Sequence, residues 1–493
     1  MVRVRFAPSP TGWLHIGGLR TALYNYLYAR HHGGTFILRI EDTDQNRYVE
    51  GAEADIIKSL EWAALKVDEG PGFGGEASPY RQSERSEIYM KYAQELLDKG
   101  FAYYAFDTPE EIEHMKESLK TAENPTPKYD VFTRQSMQNS LTLDASETQA
   151  KLESGQPYVI RLKVPQNEQV RFEDEIRGWV SFETSGLDDQ ILIKSDGLPT
   201  YHLANVVDDH LMGITHVIRG EEWLSSAPKH LLLYQFWGWN PPKMAHLPLI
   251  MSPSGGKLSK RKAEEQGIMA NVKDYIESGY NPAAVVNFLA FLGWSPGDDR
   301  EIMSLEELSK EFTLERVSKS GAIFNQQKLN WYNEQYFRNT PAETILEELK
   351  PILEKKSYTL PDDAFGLKVI ELMIERVSST PEIAEAGSFF FEAPDSYDEK
   401  TVSKAWKETT GITVQKYADR ISALNEADFT HETLKAKLTE IVEEEAVGFG
   451  KVMLPVRLAI TGLGAGPDLF QTMALIGKEA CQERLNKAIK HLG

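Results

Sequence analysis

The chain has 493 residues, enough for about three or more domains, and its 41% hydrophobic and 26% charged content is typical of a globular protein. We expect no membrane segment, because the longest nearly apolar run, Ala283 to Trp294, is well short of the ~20 residues of a spanning helix. The net charge of −20 argues, taken alone, against a nucleic-acid partner, although a basic patch at 257–262 permits local phosphate contacts. The lack of a leader pattern and the single Cys481 are compatible with a reducing cytosol, so we expect a cytoplasmic protein.

The first 40 residues predict a βαβ unit. A β-branched run, Val2 to Phe6, is followed by a Pro- and Gly-rich turn at Pro8 to Gly12. From His15 the apolar residues recur at helical spacing until Gly33, and Thr35 to Ile40 predicts a second buried strand. A helix N-terminus beside such a turn attracts anions, so we expect a nucleotide-type site here.

Two common phosphate-binding motifs do not fit this region. The spacing of Gly12, Gly17 and Gly18 differs from the dinucleotide pattern GxGxxG. The glycine–lysine pair at Lys257 is followed by Leu258, which departs from the P-loop pattern. The turn therefore belongs to neither class.

The α/β pattern continues to about residue 100, where an insertion interrupts it. Before the interruption we predict two helices and a loop, Glu50–Leu65, Ser86–Lys99 and Gly70–Tyr80. Within the insertion we predict a helix with a capping box and two alternating strands, Thr108–Lys120, Tyr158–Val164 and Trp179–Phe182.

Strands, turns and a helix then return before helices take over. The returning elements are predicted at Gln190–Lys194, Gly197–Pro199, His216–Arg219 and Leu224–Trp237. The later helices are predicted at Pro282–Leu292, Ser304–Thr313, Ala342–Lys355, Phe365–Ser378 and Thr430–Glu445. We therefore expect a doubly wound parallel sheet of the Rossmann type at 1–100 and 190–255, an α/β insertion at 101–189, a mostly helical connecting domain at 256–335 and an all-α region at 336–493.

Two short motifs carry a family resemblance. His15-Ile16-Gly17-Gly18 resembles the HIGH signature of class I aminoacyl-tRNA synthetases, and the segment from Lys257 to Arg261, KLSKR, resembles the KMSKS partner of that signature. Six ordered motifs are similar to those of bacterial glutamyl-tRNA synthetases: APSPTGWLHIGG, LRIEDTD, SPYRQSER, LPTYHLANVVDDH, VIRGEEW and KLSKRK. The resemblance covers nearly the whole chain, more thinly in the C-terminal helices. It implies a ligase that activates L-glutamate with ATP and transfers it to the 3′-terminal adenosine of tRNA(Glu).

The implied reaction needs positive donors around the α-phosphate. The amino-acid carboxylate attacks this phosphate and pyrophosphate leaves, so negative charge grows on the phosphate oxygens. We assign this catalytic role to His15, Lys257 and Lys260, the two lysines lying on a glycine-hinged loop that can close over ATP. The resemblance implies an ATP site formed by Pro10, Thr11, Gly12, His15, Gly17, Gly18, Glu222, Lys257, Leu258, Ser259 and Lys260. We expect Mg²⁺ to arrive with ATP, held chiefly by phosphate oxygens.

A substrate with two carboxylates and one ammonium group calls for arginines and an acid. By resemblance, Glu41 faces the α-ammonium group, and Arg5 and Arg219 take the carboxylates. The full implied glutamate site is Arg5, Ala7, Ser9, Glu41, Tyr201, Asn205 and Arg219. Arg219 matters most for identity, because the related glutaminyl enzymes lack an arginine there. For Arg5 taken alone, a surface or ion-pair role is the favoured interpretation.

Neither of two candidate metal sites is expected to hold a metal. Asp208-Asp209-His210 is more typical of a polar strand-to-loop junction than of an ion site, so we expect no metal there. Some members of the family carry a cysteine/histidine zinc site in the insertion. No cysteine occurs in this insertion, where 101–106 reads FAYYAF, so we predict no structural zinc.

The resemblance also implies how tRNA is bound. The insertion would hold the acceptor end, the C-terminal helices would read the anticodon with Arg376 as a candidate contact, and a monomer is the family expectation. Three alternatives stay open. In the first, the enzyme also charges tRNA(Gln). In the second, it modifies a tRNA base, but the long region after residue 335 argues against this function. In the third, it is an inactive tRNA-binding homologue, which the intact His15, Lys257 and Lys260 disfavour.

Overall fold

The computed structural model describes residues 1–492. These residues form two compact units, of which the first comprises Met1–Glu277 and Val285–Leu329. The second comprises Ser278–Ala284 and the residues from Asn330 onward. Two of the three boundaries between the units along the chain fall within helices, Pro282–Phe291 and Gln326–Arg338.

All strands among residues 1–492 lie in the first unit. They are β1 Arg3–Phe6, β2 Thr35–Leu38, β3 Ala102–Ala105, β4 Val159–Leu162, β5 Gln169–Asp174, β6 Gly178–Glu183, β7 Ile191–Ile193, β8 His216–Gly220, β9 Lys243–Leu247, β10 Ile250–Met251 and β11 Ala322–Ile323.

The helices up to the division are α1 Ile16–His31, α2 Ala52–Trp62, α3 Ser86–Asp98, α4 Pro109–Leu119, α5 Ala145–Glu153, α6 Tyr201–Leu211, α7 Ala227–Trp237, α8 Lys260–Glu265, α9 Val272–Glu277, α10 Pro282–Phe291, α11 Leu305–Glu311 and α12 Gln326–Arg338. The second unit continues with α13 Ala342–Lys355, α14 Asp363–Met373, α15 Thr380–Ala386, α16 Glu399–Ala405, α17 Thr410–Ser422, α18 His431–Glu444, α19 Phe449–Thr461, α20 Leu469–Ile476 and α21 Lys478–Leu492.

Parallel strands connected by helices form the centre of the first unit. β1 and β2 pair in parallel from Arg3 opposite Thr35 to Phe6 opposite Leu38, with α1 between them along the chain. β8 and β9 are also parallel, and β8 lies beside β1, since the Thr215 amide donates to the Arg3 carbonyl over 2.9 Å. Side chains of β1, α1 and β2 are buried together, as their apolar sequences predict. The Rossmann-type fold with an all-α C-terminal region is confirmed.

The insertion contributes two antiparallel arrangements. β3, β4 and β7 form a three-stranded sheet, so the strand predicted at Gln190–Lys194 pairs with the insertion strand β4. The β5–β6 hairpin instead extends the parallel sheet, with Asp174 opposite Met244 of β9. The capping box predicted at Thr108 is present. The Glu111 amide donates to the Thr108 hydroxyl, and the Thr108 amide donates to the Glu111 carboxylate.

Two predicted helices have different limits in the structure. The helix expected at Leu224–Trp237 begins at Ala227, after a 3-10 segment at Glu221–Ser226, and has Pro228 in its first turn. The helix expected at Phe365–Ser378 ends at Met373. The Ser378 amide and hydroxyl donate to Glu382 of α15, and Ser378 lies two residues before that helix begins at Thr380.

Helices are the only regular secondary structure among the described residues of the second unit, which has two apolar cores. One core is built from α12 to α15 and the other mainly from α17 to α21. Among residues 1–492, no helix combines the length and apolar character needed to cross a membrane.

Candidate active site

A cleft of about 1060 Å³ opens at the carboxyl ends of β1, β2 and β8, where a doubly wound sheet places its ligand. It brings together most of the predicted site residues: Arg5, Ala7, Ser9, His15, Gly17, Gly18, Glu41, Tyr201, Arg219, Glu222, Lys257, Leu258, Ser259 and Lys260. The predicted residues outside its lining are Pro10, Thr11, Gly12, Asn205 and, in the second unit, Arg376.

His15 is the N-cap of α1, and its ring orientation follows from one hydrogen bond. The Gly17 amide donates to His15 Nδ1 over 3.0 Å, which leaves the proton of the neutral ring on Nε2. Two backbone contacts hold the turn, because the Leu14 amide donates to Asp55 and the Ile16 amide to the Ala270 carbonyl. His15 can therefore present an N–H group to the cleft.

The surroundings of His15 keep the ring neutral. Burial, followed by the positive charges of Lys260 and Lys257, lowers the pKa of His15 from 6.5 to about 4. Both lysines line the same cleft. An imidazole donor and two ammonium groups thus converge at the helix N-terminus, where an anion is stabilised further by backbone N–H groups.

The lysine loop turns at two glycines and approaches the Pro-rich turn. Gly255 and Gly256 have φ values of +90° and +71°, a conformation that other residues adopt only with strain. Lys257 Nζ lies 3.3 Å from Glu222 Oε1. Lys260 Nζ lies 3.7 Å from the point where a Cβ atom on Gly12 would stand, so the two sequence motifs meet.

A buried network of ion pairs lies beneath the residues that the motifs predict to bind the substrate glutamate. Arg5 Nε and Nη2 donate to Asp209 over 2.9 and 3.2 Å, which confirms the ion-pair interpretation of this arginine. Arg39, fully buried, donates to Asp209 over 2.7 Å and to Glu41 over 3.0 Å. Burial raises the pKa of Glu41 despite both arginines. A ligand cation beside Glu41 would favour its charged form.

Arg219 differs from Arg5 because no carboxylate among the described residues accepts its hydrogen bonds. Its side chain is 5% exposed, and its partners are neutral: Tyr201 Oη at 3.1 Å, His246 Nε2 at 3.2 Å, His230 Nδ1 at 3.3 Å and the Trp223 carbonyl at 3.4 Å. A buried charge without an opposite charge is costly. The cleft therefore offers a preformed place for an anionic group.

Asn205 supports this pocket from behind. Its Nδ2 donates to the Tyr201 carbonyl over 2.9 Å, and the side chain is buried. Tyr201 in turn lines the cleft and packs against Trp223, with ring centroids 4.3 Å apart. Asn205 thus contacts a cleft residue and is not itself part of the lining.

The Asp208-Asp209-His210 segment lies in α6, so the expectation of a strand-to-loop junction was wrong. Asp208 accepts from Arg85 over 2.8 Å and from Tyr89 over 2.8 Å, and Asp209 pairs with Arg5 and Arg39. Both carboxylates are used in buried ion pairs. Among residues 1–492, no group of three or more His, Cys, Asp or Glu side chains is arranged to hold a metal ion.

Sequence reasoning missed several residues of the site. Trp223 and Lys194 line the cleft, and His230 and His246 lie behind Arg219. One signal for His246 was available, because a histidine in the apolar strand KMAHL requires a polar partner when the strand is buried.

Buried histidines make stability depend on pH. Burial, followed by a nearby lysine, lowers the pKa of His15, His202 and His216 to about 4 in the folded protein. Between pH 6.5 and 4 the unfolded chain binds more protons, so the free energy of unfolding should fall as the pH falls, by on the order of 1 kcal/mol per pH unit for each histidine.

Urea denaturation at pH 7.5, 6.5, 5.5 and 4.5 measures this dependence. His202→Gln should reduce the slope, whereas the same change at the exposed His114 is the matched control. A free energy of unfolding that stays level between pH 6.5 and 4.5 would contradict the expectation.

Comparisons with known proteins agree with this geometry. Residues 1–331 match the model of the class I (E and Q) tRNA synthetase catalytic domain, and residues 323–489 match an anticodon-binding domain. A glutamate–tRNA ligase of Cytophaga hutchinsonii is 50% identical over 99% of this chain and 97% of its own length. One of Christiangramia forsetii is 49% identical over 100% and 99%.

A solved structure is similar along its whole length. The crystal structure of a glutamate tRNA ligase from Elizabethkingia meningosepticum in complex with its amino acid is 46% identical, covers 100% of both chains and has a TM-score of 0.92. With the two signature motifs meeting in one cleft, the chain belongs to the glutamate–tRNA ligase family of class I tRNA synthetases.

Proposed function

We infer that the protein is a glutamate–tRNA ligase, which activates L-glutamate with ATP and transfers the glutamyl group to the 3′-terminal adenosine of tRNA(Glu). The observation that carries this inference is the buried Arg219 guanidinium, which has no carboxylate partner among the described residues and faces the cleft that contains His15 and Lys260. A dicarboxylic amino acid supplies the missing charge.

Within this site we propose that Arg219 binds the side-chain carboxylate of glutamate. Arg5 is already paired with Asp209 through Nε and Nη2, so the N–H groups of Nη1 and the second N–H group of Nη2 are left for the α-carboxylate. Glu41, paired with Arg39, is placed for the α-ammonium group. Ala7, Ser9 and Tyr201 line the pocket, and Asn205 fixes Tyr201 from behind.

For the chemical step we propose that the α-carboxylate of glutamate attacks the α-phosphate of ATP and pyrophosphate leaves. Mg²⁺ would arrive with ATP, bound chiefly to phosphate oxygens, and would neutralise part of their charge. The His15 Nε2–H group and the ammonium groups of Lys257 and Lys260 stabilise the growing negative charge. Gly17 and Gly18 let the triphosphate approach the helix N-terminus, with Pro10, Thr11 and Gly12 in the adjoining turn. Leu258 and Ser259 carry the lysine loop, and Glu222 holds Lys257 before ATP binds.

We propose that tRNA is bound by two other parts of the chain. Residues 101–189, inserted between the catalytic halves at 1–100 and 190–255, hold the acceptor end of the tRNA. Residues 256–335 connect the catalytic domain to residues 336–493, which read the anticodon with exposed Arg376 as a candidate contact. The match of residues 323–489 to an anticodon-binding domain supports this arrangement. We further propose that the enzyme acts in the cytoplasm as a monomer.

Aminoacylation of separate tRNA(Glu) and tRNA(Gln) transcripts with radiolabelled glutamate tests the function. We expect charging of tRNA(Glu). Charging of both transcripts would identify a non-discriminating enzyme, and tRNA-dependent pyrophosphate exchange that fails with glutamate would overturn the proposal.

We predict that the purified protein contains no structural zinc. Its insertion has no cysteine, so the thiolate ligands of such a site are not available. Metal analysis by mass spectrometry should find well below one zinc per chain. A stoichiometric zinc that resists dialysis against EDTA would contradict this prediction.

A further inference from the structure

We propose that Asp174 and His246 are positioning residues for the substrate side-chain carboxylate: they hold the Arg219 guanidinium through a fixed imidazole tautomer and leave its charge free for the ligand. This inference rests on the proposed function. The Arg219 Nε–H group donates to His246 Nε2 over 3.2 Å, and His246 Nδ1 donates to Asp174 Oδ2 over 2.6 Å. The side chains of Asp174 and His246 are fully buried.

The donor and acceptor roles in this chain of hydrogen bonds can be assigned in only one way. Arg219 is always a donor, so His246 Nε2 must accept and the ring proton must be on Nδ1. Asp174 can only accept, which matches that tautomer. Burial and the Arg219 charge lower the pKa of His246 more than Asp174 raises it, so the ring stays neutral.

Asp174 is itself held firmly. Its Oδ1 accepts from the amides of Ile176 and Arg177 over 3.0 and 2.9 Å, in the turn of the β5–β6 hairpin, and from the His246 amide over 3.3 Å. Since Oδ1 is committed to backbone donors, Oδ2 faces the His246 ring. The insertion hairpin therefore reaches the back of the glutamate pocket and fixes it.

The contrast with Arg5 explains why an imidazole stands between acid and arginine. Asp209 binds Arg5 directly at Nε and Nη2, so much of that charge is neutralised within the protein. At Arg219 the acid is one ring further away, and the Nε position is filled by a neutral acceptor. The guanidinium is thereby oriented without an anion that would compete with the substrate.

Asp174→Asn tests this assignment. The three backbone amides should keep the amide oxygen at the Oδ1 position, so the new NH₂ group faces His246 Nδ1 and drives the ring to the Nε2–H tautomer, donor against donor at Arg219. We expect KM for glutamate in tRNA-dependent pyrophosphate exchange to rise about 10- to 100-fold, the effect of losing a hydrogen bond to a charged group. KM for ATP should change less than about twofold.

Glu175→Gln is the matched control. It removes a carboxylate one residue away, from an ion pair with the exposed Lys243 at 3.0 Å, and touches no part of the Arg219 chain. Its KM for glutamate should equal that of the wild type. A KM for glutamate within twofold of wild type in Asp174→Asn, or equal rises in KM for glutamate and ATP with a lowered Tm, would overturn the positioning role.

A second pair of variants decides the matter if Asp174→Asn does not fold. His246→Gln retains an acceptor for Arg219 and a donor for Asp174, whereas His246→Leu retains neither. We expect the KM for glutamate of the leucine variant to rise at least tenfold above that of the glutamine variant, and equal values would overturn the proposal. Absence of glutamate-dependent exchange in the wild type would instead overturn the proposed function.

Discussion

Arg219→Leu is expected to lower kcat/KM for glutamate about 10²- to 10⁴-fold in tRNA-dependent pyrophosphate exchange. The variant leaves the side-chain carboxylate of the substrate in a buried pocket without its opposite charge, beside neutral Tyr201 and His230. The loss should appear mainly in KM for glutamate, because Arg219 binds the substrate away from the reacting carboxylate. KM for ATP should remain within about threefold of the wild type.

Two further variants sharpen the interpretation. Arg219→Lys keeps the charge but loses the planar fork and the Nε–H group that His246 accepts, so we expect an intermediate loss. Arg300→Leu removes an exposed arginine that pairs with Asp298 in the same unit, and should leave both KM values unchanged. A value of kcat/KM for glutamate within tenfold of wild type in Arg219→Leu would remove Arg219 from substrate recognition.

The parts of the site that depend on neighbouring residues could be predicted from the sequence. His15 follows a Pro-rich turn and precedes a run with helical periodicity, and it is the N-cap of α1. Lys257 and Lys260 follow two glycines whose positive φ values form the turn of the lysine loop. These features need only local backbone chemistry, which a sequence records directly.

Partners that come from distant strands could not be predicted. Arg219 is held by His246 of β9 and His230 of α7, and these contacts depend on the order of strands in the sheet. Arg39 was missed for the same reason, because it directly follows β2 and its role becomes visible only beside Asp209, 170 residues away along the chain. These polar side chains become part of the site only through the arrangement of distant strands and helices, which no local sequence pattern predicts.

Two predicted elements differ from the structure. Asp208 and Asp209 were expected at a polar strand-to-loop junction because the Asp-Asp-His triplet had no visible partners, but Arg85 and Arg5 pair with the two carboxylates inside α6. Farther along the chain, α14 ends at Met373, and the Ser378 amide and hydroxyl donate to Glu382 of α15. At Asp208 and Asp209, therefore, tertiary hydrogen bonds outweigh local propensity.

Lys260→Ala is expected to slow formation of glutamyl-adenylate about 10²- to 10³-fold, the scale of losing one preorganised donor to a developing oxyanion. Lys260 is the first residue of α8, directly after the N-cap Ser259, so its backbone is held by a helix while its side chain reaches toward the turn at Gly12. Its charge also contributes to the lowered pKa of His15, which ties the two groups to one anion site. Single-turnover measurement with saturating tRNA separates this step from product release.

Arg261→Ala is the matched control for Lys260→Ala. It removes a positive charge from the adjacent residue of the same helix, but this side chain is 88% exposed and pairs only with Glu265 at 2.9 Å among the described residues. If any positive charge on the loop sufficed to attract ATP, the two variants would lose rate equally. If a donor at one position stabilises the transition state, only Lys260→Ala loses rate, and the loss appears in the rate of the chemical step at saturating ATP. An unchanged single-turnover rate in Lys260→Ala would exclude Lys260 from the chemistry and leave His15 and Lys257 as the candidate donors.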